Sequence, residues 1–250
     1  QKYHYSDILQ MQYIIIGTGW KMSNIITLYH GSDKIIEKPE FGKGKAHNDF
    51  GFGFYCTQSE ELAKEWACSS LKDGFANKYT LDIENLRILK LTSGDYNILN
   101  WIAVLIQHRL FRIKTPIAGR AKKYLTDNFY VNVNAYDAIV GYRADDSYFD
   151  YADSFLNNGI TVEQLARAMR LGKLGEQFVI KSEYAFSLLR FEGMTTAERD
   201  KYYVLRKARN DDAEQTYQKL SSEQSDGIYM ADILRWEIKN GDARIPRSIS

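Results

Sequence analysis

The apolar residues of this chain fall into short β-branched runs and capped amphipathic stretches that follow one another in no regular order. Asn24–Tyr29 (NIITLY), Tyr136–Tyr142 (YDAIVGY) and Glu176–Lys181 (EQFVIK) read as interior strands. Residues 96–111 carry Ile98, Trp101, Ile102, Leu105 and Ile106 at helical spacing and predict a largely buried helix. Thr57-Gln58-Ser59-Glu60 and Thr161-Val162-Glu163-Gln164 read as capping boxes, with Thr57 and Thr161 as the caps. Tyr79–Ile83 and Arg87–Leu91 read as a hairpin about Glu84-Asn85, and Ile228–Ile238 as a last amphipathic helix. Strict βαβ alternation would build a doubly wound sheet; its absence points to an α+β fold.

Composition excludes several classes. Lysine and arginine number 33 against 32 aspartates and glutamates, so no global charge draws the chain to nucleic acid or a membrane surface. A 44% hydrophobic content is ample for a core. No run approaches the 18 or so apolar residues of a membrane span. Cys56 and Cys68 are too few for a disulfide scaffold and fit a reducing, cytoplasmic setting. His4, His30, His47 and His108 are scattered and no Cys-x-x-Cys occurs, so no metal is expected. Gly51-x-Gly53 lacks the further residues of a Rossmann fingerprint or a P-loop. Met22-Ser23-Asn24 reads like a natural start, which marks residues 1–21 as an N-terminal extension, upstream or non-native.

Three segments gain meaning from their order. A strand ends in Tyr29-His30-Gly31-Ser32; Asp49–Thr57 (DFGFGFYCT) runs into a capped helix; a late strand opens with Glu176-Gln177. Together with residues 100–109 (NWIAVLIQHR), 136–146 (YDAIVGYRADD) and 176–191 (EQFVIKSEYAFSLLRF), they make Ile26–Glu192 resemble the ADP-ribosyltransferase superfamily. The likeness is to the His-Tyr-Glu class, which holds diphtheria toxin and the poly(ADP-ribose) polymerases, and within it to a toxin-like bacterial branch. The resemblance implies two small packed β-sheets with surrounding helices over residues 22–192, a cleft for NAD+ between the sheets, and a helical C-terminal extension over 193–250.

The resemblance also implies roles. His30 matches the class histidine and would bond a ribose hydroxyl of NAD+, with NAD+ as co-substrate and no metal. Gly31 would bring its backbone close to the nicotinamide amide, Ser32 would assist there, and the Tyr55 ring would stack on the cationic nicotinamide. Residues 38–49 would close over the site, with Asn48 and Asp49 touching ribose or pyrophosphate. At the third position the chain departs from the class: Gln177 stands where a glutamate is expected. An amide can bond a ribose hydroxyl but cannot take a proton or offset a developing cation. Asp145 or Asp146 would then supply the missing carboxylate, which is the reading favoured here. Alternatively a bulge turns Glu176 into the cleft, or the chain binds NAD+ without transferring it.

By the same resemblance the chain would be a bacterial toxin-type transferase. It would act in the cytoplasm, its own or that of a target cell, on a protein or RNA acceptor, and be paired with an antitoxin or immunity protein. The basic stretch 109–123 is a candidate RNA contact. Rival readings are a catalytically silent module that binds NAD+, ADP-ribose or a partner, and an NAD+ glycohydrolase.

Overall fold

The computed structural model describes residues 12–16, 19–111, 113, 115–144, 146–171 and 175–245. Two short strands, β1 (Gln12–Ile16) and β2 (Gly19–Ser23), pair only with each other. The body of the protein is α+β, with two small open sheets surrounded by helices, as the sequence led us to expect.

The first sheet takes β3 (Ile25–Ser32), and the chain then crosses to β4 (Phe54–Cys56), an edge strand of the second sheet. Helix α1 (Glu60–Ala67) follows and returns the chain to β5 (Gly74–Asp82), which pairs antiparallel with β3. Strand β6 (Ile88–Lys90) lies in the second sheet, so the expected hairpin about Glu84-Asn85 does not form. The turn residues only redirect the chain: β6 finds a parallel partner in β7 (Ala138–Tyr142) instead of folding back on β5.

Helix α2 (Ile98–His108) is the centre of the main core, with Ile98 through Ile106 all buried. Asn97 and Asn100 cap it reciprocally, which satisfies orphan amides that would otherwise be buried unpaired. Around it stand α3 (Pro116–Phe129), α4 (Asp146–Leu156) and α5 (Val162–Leu171). Thr161 and Gln164 form the expected box at α5. At α1 the cap is Ser59, whose hydroxyl accepts from the Leu62 amide, and not Thr57. Thr57 is committed elsewhere, since its backbone binds β3.

Strand β8 (Glu176–Ile180) completes the second sheet, ordered β4-β8-β7-β6, and α6 (Glu183–Leu188) leads to β9 (Arg190–Ala197). Strand β9 pairs with β5 across residue 192, so the first sheet, ordered β3-β5-β9, continues into the segment expected to be a separate extension. The long helix α7 (Arg199–Ser222) and the short α8 (Met230–Arg235) follow; α8 covers only the middle of the expected 228–238 helix. No helix among the described residues is long and apolar enough to cross a membrane.

Among the described residues, the two sheets meet edge to edge at one bridge. Tyr29 and Thr57 exchange two backbone hydrogen bonds, of 2.7 and 2.9 Å, joining β3 to β4. Beyond that bridge the two strands part, and a cleft lies in the fork.

Candidate functional site

The fork is held open by an imidazole. In a continued antiparallel ladder, Gly31 would donate to the Tyr55 carbonyl. Instead Nδ1 of His30 donates to that oxygen at 2.7 Å, and Phe54 stacks on the ring at 4.3 Å between centroids. A carbonyl only accepts, so the proton sits on Nδ1 and Nε2 is left as an acceptor. Burial lowers the His30 pKa, against the Tyr55 hydrogen bond, and keeps the ring neutral.

Gly31 comes next. Tyr29 turns its N–H and C=O toward β4, and backbone groups alternate sides along a strand, so those of Gly31 point the same way. With β4 gone they face the fork as a donor and acceptor side by side. The missing side chain serves another contact than the one expected. A Cβ on Gly31 would lie 2.1 Å from the Ala63 carbonyl oxygen of α1, so the glycine admits the helix. Ser32 is not among the residues lining the cleft; its hydroxyl accepts from the Lys34 amide in a local turn.

The cleft that opens here has a volume of about 1250 Å3. His30, Gly31, Asn48, Asp49, Tyr55 and Gln177 all line it, which brings together six of the residues singled out from the sequence. Its covering loop is tied at both ends. Asn77 of β5, fully buried, binds the Lys34 carbonyl and the Ile36 amide, and the Tyr79 hydroxyl donates to the Ile36 carbonyl. Lys181 donates to the carbonyls of Phe50 at 2.7 Å and Phe52 at 2.5 Å. The Tyr55 hydroxyl accepts from the Phe50 amide and donates to the Gly51 carbonyl, so it anchors the loop while its ring lines the cleft. Burial pushes the Tyr55 phenol well above its ordinary pKa and the Lys181 amine down to about 8.

Asp49 and Gln177 meet at the back. Asp49 is 5% exposed and Gln177 3%. The Gln177 amide nitrogen donates to Oδ2 of Asp49 at 2.7 Å, and the Ala144 amide donates to the same oxygen at 2.9 Å. Arg109 lies 3.7 Å from Oδ1. Burial raises the Asp49 pKa, opposed by the Ala144 and Gln177 hydrogen bonds and by Arg109 and Arg143. Glu176 pairs with Tyr142 in unbroken register and is exposed, so no bulge turns it inward. Asp145 and the side chain of Asp146 lie outside the described residues.

Besides Asp49, and Arg109 from the basic stretch 109–123, the walls carry charges that the motifs did not single out as site residues. Arg109, Arg143, Arg206 and Lys181 line the cleft, with Lys38, Lys43 and Lys45 on the loop, against Glu40, Asp49 and Glu183. Arg143 stacks over the Trp66 ring at 4.6 Å. Arg206 comes from α7 and binds the Cys68 carbonyl at the end of α1. Net charge near zero hid this concentration, because the acids lie elsewhere. Among the described residues no cluster of histidine, cysteine or carboxylate side chains could hold a metal ion.

No curated protein and no solved structure shows a significant match to the chain. A family model does match, over residues 26–191, which runs from β3 into β9 and takes in both sheets and every cleft residue named above except Arg206. On that match, covering well over half its length, the chain belongs to the DUF3990 family, described as proteins of unknown function.

Proposed function

We propose that the protein is an NAD+-dependent ADP-ribosyltransferase that moves ADP-ribose from NAD+ to a macromolecular acceptor. In the transfer, the bond between the ribose C1′ and the nicotinamide nitrogen breaks, and its electron pair leaves with nicotinamide. A lone pair of the acceptor forms the new bond to C1′, and the acceptor's proton passes to solvent.

The observation that carries this reading is the fork. A neutral imidazole with Nε2 as acceptor complements a ribose hydroxyl, and the side-by-side N–H and C=O of Gly31 complement a carboxamide, which offers one acceptor and one donor. The Tyr55 ring in the same cleft suits a cationic aromatic ring. The arginines of the walls suit a pyrophosphate, which takes charge-assisted and bidentate bonds. The resemblance of residues 26–192 adds to this the setting of a bacterial toxin, acting in a cytoplasm, with a protein or RNA acceptor and an antitoxin or immunity partner.

The test is nicotinamide release from NAD+ by the purified chain, with and without bacterial lysate, beside a Tyr55→Ala control. Release that requires lysate and vanishes in the control is the expected result. Release in buffer alone makes the protein a glycohydrolase or a self-modifying enzyme. Binding without release makes it a silent NAD+ module, with Gln177 as the reason. A chain that neither binds nor cleaves NAD+ overturns the reading.

A further inference from the structure

We infer that Asp49 is the working carboxylate of this site: held behind Gln177, it fixes the amide with Oε1 presented to the cleft and sets a negative charge beside the reacting ribose. The inference rests on the NAD+ reading above and deepens it, since it names the carboxylate that Gln177 by itself lacks.

Four separate segments converge to make the arrangement. Asp49 comes from the covering loop, Gln177 from β8, Ala144 from the exit of β7 and Arg109 from the end of α2. A carboxylate accepts only, so the amide must turn its nitrogen toward Asp49. Flipping the amide would set two acceptors against each other in a buried place, which costs on the order of 1–3 kcal/mol. With the nitrogen committed, Oε1 is the atom that a ribose hydroxyl can meet. Gln177 thus supplies the acceptor half of the missing glutamate, and Asp49 the charge.

The same oxygen, Oδ2, takes both hydrogen bonds. An asparagine at 49 can therefore keep both bonds through its one oxygen while losing the charge. This separates what Asp49 positions from what its charge does. A second variant separates them from the other direction. Exchanging the pair, Asp49→Asn with Gln177→Glu, keeps a carboxylate bonded to an amide and moves the charge to the cleft side.

The experiment uses the full chain with NAD+ as the probe. It measures NAD+ binding by calorimetry, nicotinamide release under the conditions that support wild-type turnover, and thermal stability for each variant. Asp49→Asn is expected to bind NAD+ within threefold of wild type and to lower kcat by roughly 100-fold, the loss typical of a removed electrostatic partner. The exchanged pair is expected to recover at least tenfold over Asp49→Asn. An Asp49→Asn protein with kcat within threefold of wild type overturns the inference. So does one that loses NAD+ binding and stability along with turnover, which marks Asp49 as structural. If Asp49→Asn does not fold, a folded but inactive exchanged pair overturns it equally. A wild-type chain inert toward NAD+ sinks the functional reading and this inference together; an active wild type with an unaffected variant sinks the inference alone.

Discussion

His30 keeps its proton on Nδ1, bonded to the Tyr55 carbonyl, and pH therefore acts on the site in one direction. Burial places its pKa below the ordinary 6.5. Protonation removes the Nε2 acceptor, so the acceptor survives through pH 6.5 and is lost only below. NAD+ affinity, followed by titration calorimetry, is expected to be level from pH 7.5 to about 6.5 and to weaken under that. A decline already complete at pH 6.5 would contradict the geometry. Stability follows the same sign: below 6.5 the unfolded chain binds a proton that the folded one refuses, so stability drops as the pH is lowered and is regained as it is raised. As cleft residues the histidine, Tyr55 and Gln177 were legible because a strand end, a tyrosine closely following Gly51 and Gly53, and a late strand occur in a telling order. The bond between Asp49 and Gln177 was not, since 128 residues separate them and nothing local marks either as a partner. Lys181 closes the EQFVIK strand segment, and only the fold shows it holding the loop.

Among the elements, α1 depends on two glycines. A Cβ on Gly31 would strike the Ala63 carbonyl, and one on Gly74 would come within 2.5 Å of Ala67. Both strands beneath the helix have thus given up a side chain so that its backbone can lie close. Gly31→Ala is expected to cost about 3 kcal/mol in denaturant unfolding, because a helix carbonyl cannot step aside as a side chain can. A loss under about 1 kcal/mol would mean that α1 shifts freely. Elements with strong local signals were read well: the α2 periodicity and the Thr161–Gln164 box need no distant information. The hairpin failed because turn residues state where a chain bends, not which strand it meets. The α1 cap failed because Thr57 and Ser59 both suit the role, and only the Tyr29 bridge decides between them.

At the scale of the molecule, the segment after residue 192 is part of the fold. Tyr151 of α4 and Gln164 of α5 donate to carbonyls of α7, and Arg209 grips Glu65 of α1 through two bonds of 2.9 and 2.8 Å. Leu220, Met230, Ile233, Ile238 and Ile245 are buried in the main core. A chain ending at residue 192 is expected to lose the cooperative thermal transition of the full chain in circular dichroism; a retained sharp transition would restore the separate-extension view. The polar surface of β9 hid this, since a mostly exposed edge strand carries little of the apolar alternation that marks a strand. The parted strands also leave part of one edge of β3 without a strand beside it. A sheet edge with unsatisfied amides is a template onto which a second chain can add a strand and seed aggregates. Here the open end of β3, at His30 and Gly31, lies in a cleft lined by arginines and lysines, so an added strand would have to bury those charges. On the proposed reading the same basic side chains would then have two duties, seating a ligand and making that edge costly for another strand to cover.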